Sequence, residues 1–308
     1  MQISAYLELA RIHRPIGALL LFYPCLWGVL LAHSTGAESQ STLLLLAMLL
    51  IGALAARGAG CVWNDITDRH IDSHVARTAA RPLVRGAVSL RGAYVFLVML
   101  LAIALAVLLA LPPLAWLAVA AILPVVAFYP FSKRVFFAPQ LILGVCFNWG
   151  VWVGWLAAEP ASAEAALIDL QGFGGVLGLL YLGGIFWTLL YDTIYALQDH
   201  TYDRKQGLHS LAVLLANRRG LRKNLVCLGL CACICWGSAL FLQNPSAYTL
   251  ASALVVVLVI AGRWLSRIRH LTAQSSAQAS QFFAKEHITG AWIAAGLIAP
   301  SMISHLFG

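Results

Sequence analysis

The chain has 308 residues, of which 61% are hydrophobic and only 10% are charged, and its formal net charge is +8. An average soluble domain carries roughly 25% charged residues, so this sequence has too little polar surface to cover a water-soluble globule. The composition excludes an ordinary soluble fold and indicates a lipid bilayer as the solvent, in which backbone groups must be satisfied by helices or a closed barrel. The apolar runs are continuous rather than alternating, and this favours helices.

Hydropathy predicts about nine transmembrane helices, which we assign to a single bundle and a single domain over residues 1–308. In chain order the predicted spans lie near 16–33, 41–60, 92–111, 113–131, 139–158, 174–196, 223–242, 246–262 and 287–306. The third and fourth spans are separated only by Pro112-Pro113, which predicts a tight turn between antiparallel helices. The motif loops, about 64–91 and 199–222, are long, and long loops are often functional.

The lysines and arginines predict the orientation of the bundle. All 20 of them lie before the first span, or at the ends of even-numbered spans and in the connections that follow those spans. By the positive-inside rule this basic face is cytoplasmic, and so is the N-terminus. The positive charge is thus a topology signal that also attracts anionic lipid headgroups, and we expect no nucleic-acid partner.

The first of two acidic motifs lies at the end of the second span. It contains Asn64, Asp65, Asp68 and Asp72. On a helix, Asp68 and Asp72 share a face because they are four residues apart, and Asn64 lies one turn earlier on that face. The motif therefore presents several oxygen ligands together at the predicted cytoplasmic face.

The second acidic motif follows the sixth span and repeats this spacing at Asp199 and Asp203, with Asp192 two turns earlier on the same side. Asp199 follows Asp68 by 131 residues, and Asp203 follows Asp72 by the same 131 residues. The common offset suggests two related halves. Both motifs end even-numbered spans, so both open on the same face.

Carboxylates at the rim of the hydrocarbon layer are unfavourable when unpaired, and like charges one turn apart repel each other. Two such clusters that face each other need compensating cations. Mg2+ fits, because it typically takes one or two carboxylates together with substrate phosphates. The motifs therefore predict a magnesium-diphosphate site. Basic candidates for the remaining phosphate oxygens are Arg77, Arg81, Lys133, Arg204 and Lys205.

Such a site supports prenyl transfer, because the metal neutralises the diphosphate as it leaves an allylic carbon. The alternative from another class is a cation transporter, in which facing carboxylates bind a permeating ion. A transporter is expected to place acidic residues near the bilayer midplane on discontinuous helices. The motif acids lie at span ends, and this favours the enzyme. Two ordinary solvated helix ends, or a structural scaffold, would leave the matched spacing unexplained.

These residues closely resemble the signature of the UbiA superfamily of intramembrane aromatic prenyltransferases, which are nine-helix bundles with an Asn-Asp-x-x-Asp-x-x-x-Asp motif and a second Asp-x-x-x-Asp motif. The first motif is complete from Asn64 to Asp72, and the second falls on Asp199 and Asp203. A Tyr-x-x-x-Lys pattern of the family matches Tyr129 and Lys133. The resemblance spans most of the chain.

Within the superfamily, the segments 129–134 and 191–196 are most similar to the 4-hydroxybenzoate polyprenyltransferases. The resemblance implies Mg2+-dependent transfer of a polyprenyl group from polyprenyl diphosphate to the ring carbon ortho to the hydroxyl of 4-hydroxybenzoate, with release of diphosphate, in ubiquinone biosynthesis. It implies a multi-pass protein of the bacterial inner membrane, with an active site that faces the cytoplasm and membrane lipid around it. We expect no obligate protein partner.

The resemblance also implies roles for individual residues. The implied catalytic residues and Mg2+ ligands are Asp68, Asp72, Asp199 and Asp203. The implied substrate contacts are Asn64, Asp65, Arg77, Tyr129, Lys133, Arg134 and Asp192, with Arg134 as a candidate for the benzoate carboxylate.

The chain departs from the family just beyond the second motif. The usual Gly-Ile-Lys-Ser-Thr is replaced by the segment 207–211, Gly-Leu-His-Ser-Leu, so His209 stands where a lysine is expected. The aspartate pair is intact, and the implied reaction class is unaffected. The acceptor is less constrained, and dihydroxynaphthoate, homogentisate and haem are alternatives.

Overall fold

The structure is a computed structural model that describes residues 2–34, 42–73, 78–158, 163–216, 220–272 and 275–307. These residues form α-helices and, within the described ranges, no β-strand. The helices are α1 (Gln2–Leu9), α2 (Ile16–Ser34), α3 (Thr42–Asp72), α4 (Leu90–Leu109), α5 (Pro113–Val135), α6 (Pro139–Asn148), α7 (Gly150–Ala158), α8 (Ala163–Ala196), α9 (His200–Lys205), α10 (Leu211–Ala216), α11 (Leu221–Leu242), α12 (Ala247–Ile268), α13 (Ser276–Ala284) and α14 (His287–Phe307). The all-helical architecture confirms the predicted fold class.

Eight segments of the described chain are helical, long and apolar enough to cross a membrane. They correspond to the first eight predicted spans, one of which, Pro139–Ala158, is formed by α6 and α7 together. The ninth predicted span, 287–306, coincides with α14, but most side chains at the C-terminal end of α14 lie outside the described residues. The count of nine spans and the cytoplasmic N-terminus stay predictions.

Several helices extend beyond the apolar runs that predicted them. The second span was predicted to end near residue 60, but α3 continues to Asp72 and carries the whole first motif as regular helix. Four short helices, α1, α9, α10 and α13, lie in segments for which hydropathy predicts no span. Hydropathy detects the hydrocarbon-crossing part of a helix, whereas the backbone stays helical for as long as its hydrogen bonds are satisfied.

Four tryptophans form the centre of the largest core. Trp27, Trp187 and Trp236 are fully buried and lie in mutual contact, with ring centroids 5.6–5.7 Å apart. Trp264 adds to them at 6.3 Å from Trp236. The indole N–H of Trp236 donates to the carbonyl oxygen of Leu180 at 3.2 Å. In lipid, where helix association depends on packing and interhelical hydrogen bonds, this cluster ties α2, α8, α11 and α12 together.

Close backbone contact joins α2 to α7. A Cβ atom on Gly28 would lie 2.1 Å from the carbonyl oxygen of Val151, and one on Gly154 would lie 2.0 Å from that of Cys25. Only glycine fits at such distances, as in the small-residue interfaces of other membrane helices. Gly154 therefore packs two helices within this chain.

Candidate functional site

The first acidic motif lies on the polar end of α3, and three of its carboxylates are buried. Asp65, Asp68 and Asp72 expose 2%, 1% and 5% of their surface. They occupy positions i, i+3 and i+7, which lie on one face of the helix. A buried carboxylate needs a charge partner or a ligand. Each of the three has a basic partner from another part of the chain.

Asp68 is joined to the end of α5 by two basic residues. Nζ of Lys133 donates to Oδ2 of Asp68 at 2.5 Å, and Nη2 of Arg134 lies 3.5 Å from Oδ1. Arg134 donates instead to the carbonyl oxygen of Thr67 at 3.2 Å, and its guanidinium lies over the ring of Phe131. Oδ1 of Asp68 is buried and accepts no hydrogen bond within the described structure. Oδ1 of Asp68 is therefore a buried carboxylate oxygen with a positive charge nearby but no hydrogen-bond donor.

Asp65 and Asp72 share one arginine. Nη1 of Arg81 donates to Oδ1 of Asp65 at 3.0 Å and also to Oδ2 of Asp72. Nη2 of Arg11 donates to both carboxylate oxygens of Asp65, at 2.9 and 3.0 Å. The hydroxyl of Thr78 donates to the carbonyl oxygen of Asp72 at 2.9 Å. This last contact helps to hold the returning chain, which carries Arg81, against the end of α3.

The second motif begins where α8 ends. α8 stops at Ala196, residues 197–199 form a turn, and Asp199 is the N-cap residue of α9. The N–H of Asp203 donates to the carbonyl oxygen of Asp199 at 2.9 Å, so the two carboxylates stay one turn apart. Asp192 lies on α8, before the break. The spacing alone predicted a single helical face for all three, whereas the structure places Asp192 on a different helix from the motif.

Two contacts bring the motifs to the same end of the bundle. The hydroxyl of Tyr202, within the second motif, donates to the carbonyl oxygen of Ile71 at 3.4 Å. The N–H of His209 donates to the carbonyl oxygen of Lys133 at 2.9 Å. Since the side chain of Lys133 pairs with Asp68, the loop beyond the second motif contacts the backbone of the residue that neutralises Asp68. The side chain of His209 is exposed.

Three further residues are predicted phosphate contacts, namely Arg77, Arg204 and Lys205. Arg204 and Lys205 are exposed and line a surface cleft on α9 with His200 and Thr201. Arg77 lies outside the described residues.

Within the described residues, no three acidic, histidine or cysteine side chains form a preassembled metal site. Lys133 and Arg81 already neutralise Asp68 and Asp72. The oxygen donors nevertheless fit a Mg2+ ion that arrives with a diphosphate, because such an ion needs only one or two carboxylates besides phosphate oxygens and water. Oδ1 of Asp68 is one such oxygen, and Asn64, one turn earlier and partly exposed, offers an amide oxygen.

A second polar cluster lies deeper in the bundle, around Arg57. This residue precedes Asn64 by seven positions, about two turns further into the apolar part of α3. Its guanidinium lies over the ring of Phe147 at 5.7 Å, and its Nε is buried with no hydrogen-bond partner among the described groups. Arg57 is the positive charge that acts on Asp192, and both interact electrostatically with Tyr129.

In the sequence, Arg57 contributes only to the count of basic residues that predicts topology. The position of Arg57 could have indicated a functional role, since it is the single charged residue in the run 42–63. An ionisable residue within a transmembrane helix is by default a candidate for function, with an acid as its expected partner. Asp192 was identified, but its pairing with Arg57 could not be read from the chain because 135 residues separate them.

Comparison with known proteins gives a consistent assignment. The UbiA prenyltransferase family model matches residues 21–285. The chain is 43% identical over 208 residues to the mitochondrial 4-hydroxybenzoate polyprenyltransferase of Drosophila melanogaster, which covers 68% of this chain and 50% of the relative. It is 40% identical over 215 residues to the 4-hydroxybenzoate octaprenyltransferase of Legionella pneumophila, covering 70% of this chain and 71% of the relative. The chain thus spans about half the length of the mitochondrial relatives it matches.

Two solved structures have a similar fold. A UbiA homologue from Aeropyrum pernix K1 superimposes with a TM-score of 0.71 and 26% identity, covering 92% of this chain and 98% of that one. A UbiA homologue from Archaeoglobus fulgidus, bound to GPP and Mg2+, superimposes with a TM-score of 0.67 and 18% identity, covering 96% and 98%. The family match over most of the chain and the relatives of at least 40% identity establish that this protein belongs to the UbiA prenyltransferase family.

Proposed function

We propose that the protein is a Mg2+-dependent polyprenyltransferase that transfers a polyprenyl group from polyprenyl diphosphate to the ring carbon ortho to the hydroxyl of 4-hydroxybenzoate, releasing diphosphate, in ubiquinone biosynthesis. The observation that carries the proposal is the pairing of Lys133 with Asp68 at the point where the loop beyond the second motif reaches α5. The ammonium of Lys133 pairs there with a buried carboxylate, and the backbone of Lys133 contacts the loop that follows the second acidic motif. The names of relatives with 40–43% identity support the same activity.

The two motifs form the diphosphate end of the proposed site. The proposed Mg2+ ligands are Asp68, Asp72, Asp199 and Asp203. When bound, Mg2+ neutralises the negative charge that develops on the diphosphate as the allylic C–O bond breaks. Lys133 pairs with Asp68 and Arg81 with Asp72. Both cations would donate charge-assisted hydrogen bonds to phosphate oxygens of the bound substrate. Arg77 stays a proposed phosphate contact.

The cluster around Arg57 forms the acceptor end. A guanidinium with an unused buried donor suits a carboxylate, and its stacking on Phe147 leaves an apolar wall for an aromatic ring. Asp192 and Tyr129 both interact electrostatically with Arg57, and they are our candidates for orienting the phenolic hydroxyl of the acceptor. We therefore add Arg57 to Arg134 as a candidate for the benzoate carboxylate. Arg134 is the more exposed of the two and already contacts Thr67 and Phe131.

A cation transporter is the alternative from another class, and Arg57 weighs against it. An ion that left the acidic motifs for the bundle interior would meet a partly buried arginine two turns below Asn64. A positive charge inside a low-dielectric pore opposes cation passage. The same arginine is useful to an enzyme that binds an anionic acceptor beside its diphosphate.

The membrane setting of the site follows from the charge distribution. We propose that the motif face is cytoplasmic, because all 20 lysines and arginines lie before the first predicted span, at the ends of even-numbered predicted spans or in the connections that follow them. The proposed location is a bacterial inner membrane, and the relative from Legionella pneumophila supports it. The relatives named as mitochondrial make the organellar membrane the alternative.

The test is incubation of the full-length protein in proteoliposomes with Mg2+, a polyprenyl diphosphate and a panel of aromatic acceptors, followed by product identification by mass. We expect ortho-prenylated 4-hydroxybenzoate and an equal amount of diphosphate. Asp68→Ala and Asp199→Ala should each abolish both products. Exposed Glu8 provides the control variant, Glu8→Gln, which should retain activity.

Other results would change the proposal in different ways. If only dihydroxynaphthoate, homogentisate or haem is prenylated, the acceptor is wrong and the reaction class stands. If Asp68→Ala keeps full activity, the assignment of the diphosphate site is wrong. If no acceptor reacts but labelled divalent cations enter the vesicles, the transporter replaces the enzyme.

A further inference from the structure

We propose that Arg11, before the first transmembrane helix, is a positioning residue for the diphosphate site. Arg11 neutralises the charge of Asp65, and this allows Arg81 to neutralise Asp72. The inference rests on the proposed function, because it concerns the same site. It assigns to the segment after α1 a role in catalysis that the motifs themselves do not reveal.

The backbone of Arg11 is held in an unusual conformation. Its φ is 60°, in the left-handed region that non-glycine residues seldom adopt. Its Nη1 donates to the carbonyl oxygens of Glu8 and Leu9, at 3.2 and 3.0 Å, at the end of α1 where carbonyls lack helical partners. The guanidinium is therefore fixed at two ends, to α1 by Nη1 and to α3 by Nη2. Strained conformations of this kind persist where surrounding contacts determine them, and they concentrate at functional sites.

The contact with Asp65 is bidentate. Nη2 of Arg11 reaches Oδ1 at 2.9 Å and Oδ2 at 3.0 Å, and only 2% of Asp65 is exposed. A carboxylate buried to this degree needs a full compensating charge. Arg11 supplies it from outside the acidic motif, 54 residues away along the chain.

Arg81 stands between two carboxylates and cannot fully neutralise both. The same nitrogen, Nη1, donates to Asp65 and to Asp72. With Arg11 present, two arginines compensate two carboxylates. Without Arg11, the buried charge of Asp65 would draw Arg81 toward itself and away from Asp72. Arg11 therefore controls the availability of Arg81 and the position of the Asp72 carboxylate, although it has no described contact with Asp72.

The simpler role for Arg11 is to dock α1 on the bundle, but other residues already do so. Leu9 is fully buried, and the ring of Tyr6 packs on Phe96 with centroids 5.1 Å apart. An exposed ion pair at 2.7 Å also joins Glu8 to Arg85 in the loop after the first motif. Glu8→Gln removes the ion pair between α1 and Arg85 but leaves the contact between Arg11 and Asp65 in place, so it is a matched control.

The experiment compares Arg11→Ala, Arg11→Lys and Glu8→Gln in the full-length protein in nanodiscs. Binding of Mg2+ with the uncleavable S-thiolo analogue of farnesyl diphosphate is measured by calorimetry, and KM is measured for each substrate. We expect Arg11→Ala to weaken binding of the analogue by about tenfold, which is the lower range for loss of a group that orients a metal-binding carboxylate. The KM for farnesyl diphosphate should rise with it, while the KM for 4-hydroxybenzoate stays unchanged. The affinity of Arg11→Lys for the analogue should lie between those of the native protein and Arg11→Ala, because a lysine cannot make the bidentate contact.

A double variant separates positioning from docking. Asp65→Asn removes the charge that Arg11 compensates, so Arg11→Ala should weaken analogue binding much less in the Asp65→Asn background than in the native chain. Glu8→Gln should bind the analogue within about twofold of the native protein. Unchanged binding in Arg11→Ala, equal increases of both KM values, or the same loss in both backgrounds would overturn the proposal. Native protein that binds the analogue but prenylates no acceptor would refute the proposed function, while the binding ratios would still decide the role of Arg11.

Discussion

Nζ of Lys133 lies 2.5 Å from Oδ2 of Asp68, so a lysine near the end of α5 neutralises a buried carboxylate on α3. Arg81 has the same relationship to Asp72. Without a bound substrate, these pairs stabilise carboxylates that would otherwise be buried and uncompensated. In the proposed complex, Asp68 and Asp72 would hold Mg2+, and Lys133 and Arg81 would donate to the phosphate oxygens. The ion pairs would thus keep groups of both charges at the first motif before the substrate binds.

Lys133→Met keeps the length of the side chain and removes its charge. We expect kcat/KM for polyprenyl diphosphate to fall about 100-fold, because a hydrogen bond to a charged group contributes about 1.5–3 kcal/mol and each 1.4 kcal/mol is a factor of ten. Steady-state kinetics in proteoliposomes measure the effect. Lys223→Met, at the exposed start of α11, removes an equal charge from the surface and should change kcat/KM less than twofold. A native value for Lys133→Met would show that Lys133 only neutralises Asp68 in the empty site.

The proposed acceptor site predicts a specific change in discrimination. Native enzyme should prefer 4-hydroxybenzoate to the neutral 4-hydroxybenzamide, since a guanidinium favours a carboxylate. Arg57→Leu should raise the KM for 4-hydroxybenzoate about 10- to 100-fold and remove this preference, whereas the KM for polyprenyl diphosphate should not change. Arg57→Lys keeps the charge opposite Asp192 and should retain part of the preference.

Arg134→Leu is the control for that prediction, because the sequence assigned the acceptor carboxylate to Arg134. If Arg134→Leu removes the preference and Arg57→Leu does not, the acceptor binds next to the first motif. Arg57 would then interact electrostatically with Asp192 and have no role in binding the acceptor.

The helices were predictable where hydropathy alone determines them. The first span, predicted at 16–33, is α2 at Ile16–Ser34, because an uninterrupted apolar run must be helical in lipid. The break between α6 and α7 at Trp149 lies inside one apolar run, so hydropathy could not detect it. The turn at 197–199 escaped prediction for a different reason. Residue spacing describes a continuous helix and does not report where the helix stops.

The acids of the candidate site and two of its cations, Arg81 and Lys133, were predictable from the sequence, whereas Arg11 and Arg57 were not. Aspartates at regular spacing leave a pattern in the chain, whereas Arg11 and Arg57 are isolated residues that resemble topology signals. Arg11 pairs with Asp65, and Arg57 interacts electrostatically with Asp192, although both aspartates are distant from these arginines in sequence. Interactions between residues so far apart in sequence can be identified only in the tertiary structure.

The predicted orientation can be tested by cysteine labelling with a membrane-impermeant maleimide in a cysteine-free background. Ala87 is exposed in the turn between the first motif and α4, and Asn244 is exposed between α11 and α12. If the basic face is cytoplasmic, Asn244→Cys reacts in intact cells and Ala87→Cys reacts only after permeabilisation. The reverse pattern would place the acidic motifs outside the cell and contradict the proposed location of the site.

Glu286 lies outside the candidate site and is predicted to stabilise the C-terminal half of the bundle. It is fully buried, and its Oε2 accepts hydrogen bonds from Trp187 at 2.8 Å, Trp264 at 3.1 Å and Thr289 at 2.9 Å. Glu286→Leu leaves three buried donors without an acceptor, and each such donor costs about 1–3 kcal/mol. We expect a clear loss of thermal stability in detergent. Glu286→Gln keeps a carbonyl acceptor in place and should lose much less thermal stability than Glu286→Leu.

The same residue predicts a dependence of stability on pH. Burial raises the pKa of Glu286 above its usual range, although Arg263 opposes this shift and Arg267 lies 3.7 Å from Oε1. The folded protein therefore binds the proton more tightly than the unfolded chain, and this contribution is complete below the unfolded pKa and is lost as pH rises through the folded pKa. The Tm of the native protein should fall over that range, and Glu286→Gln should flatten the curve. Glu8→Gln, which changes an exposed glutamate, should leave the curve unaltered, and a native curve for Glu286→Gln would assign the pH dependence to another group.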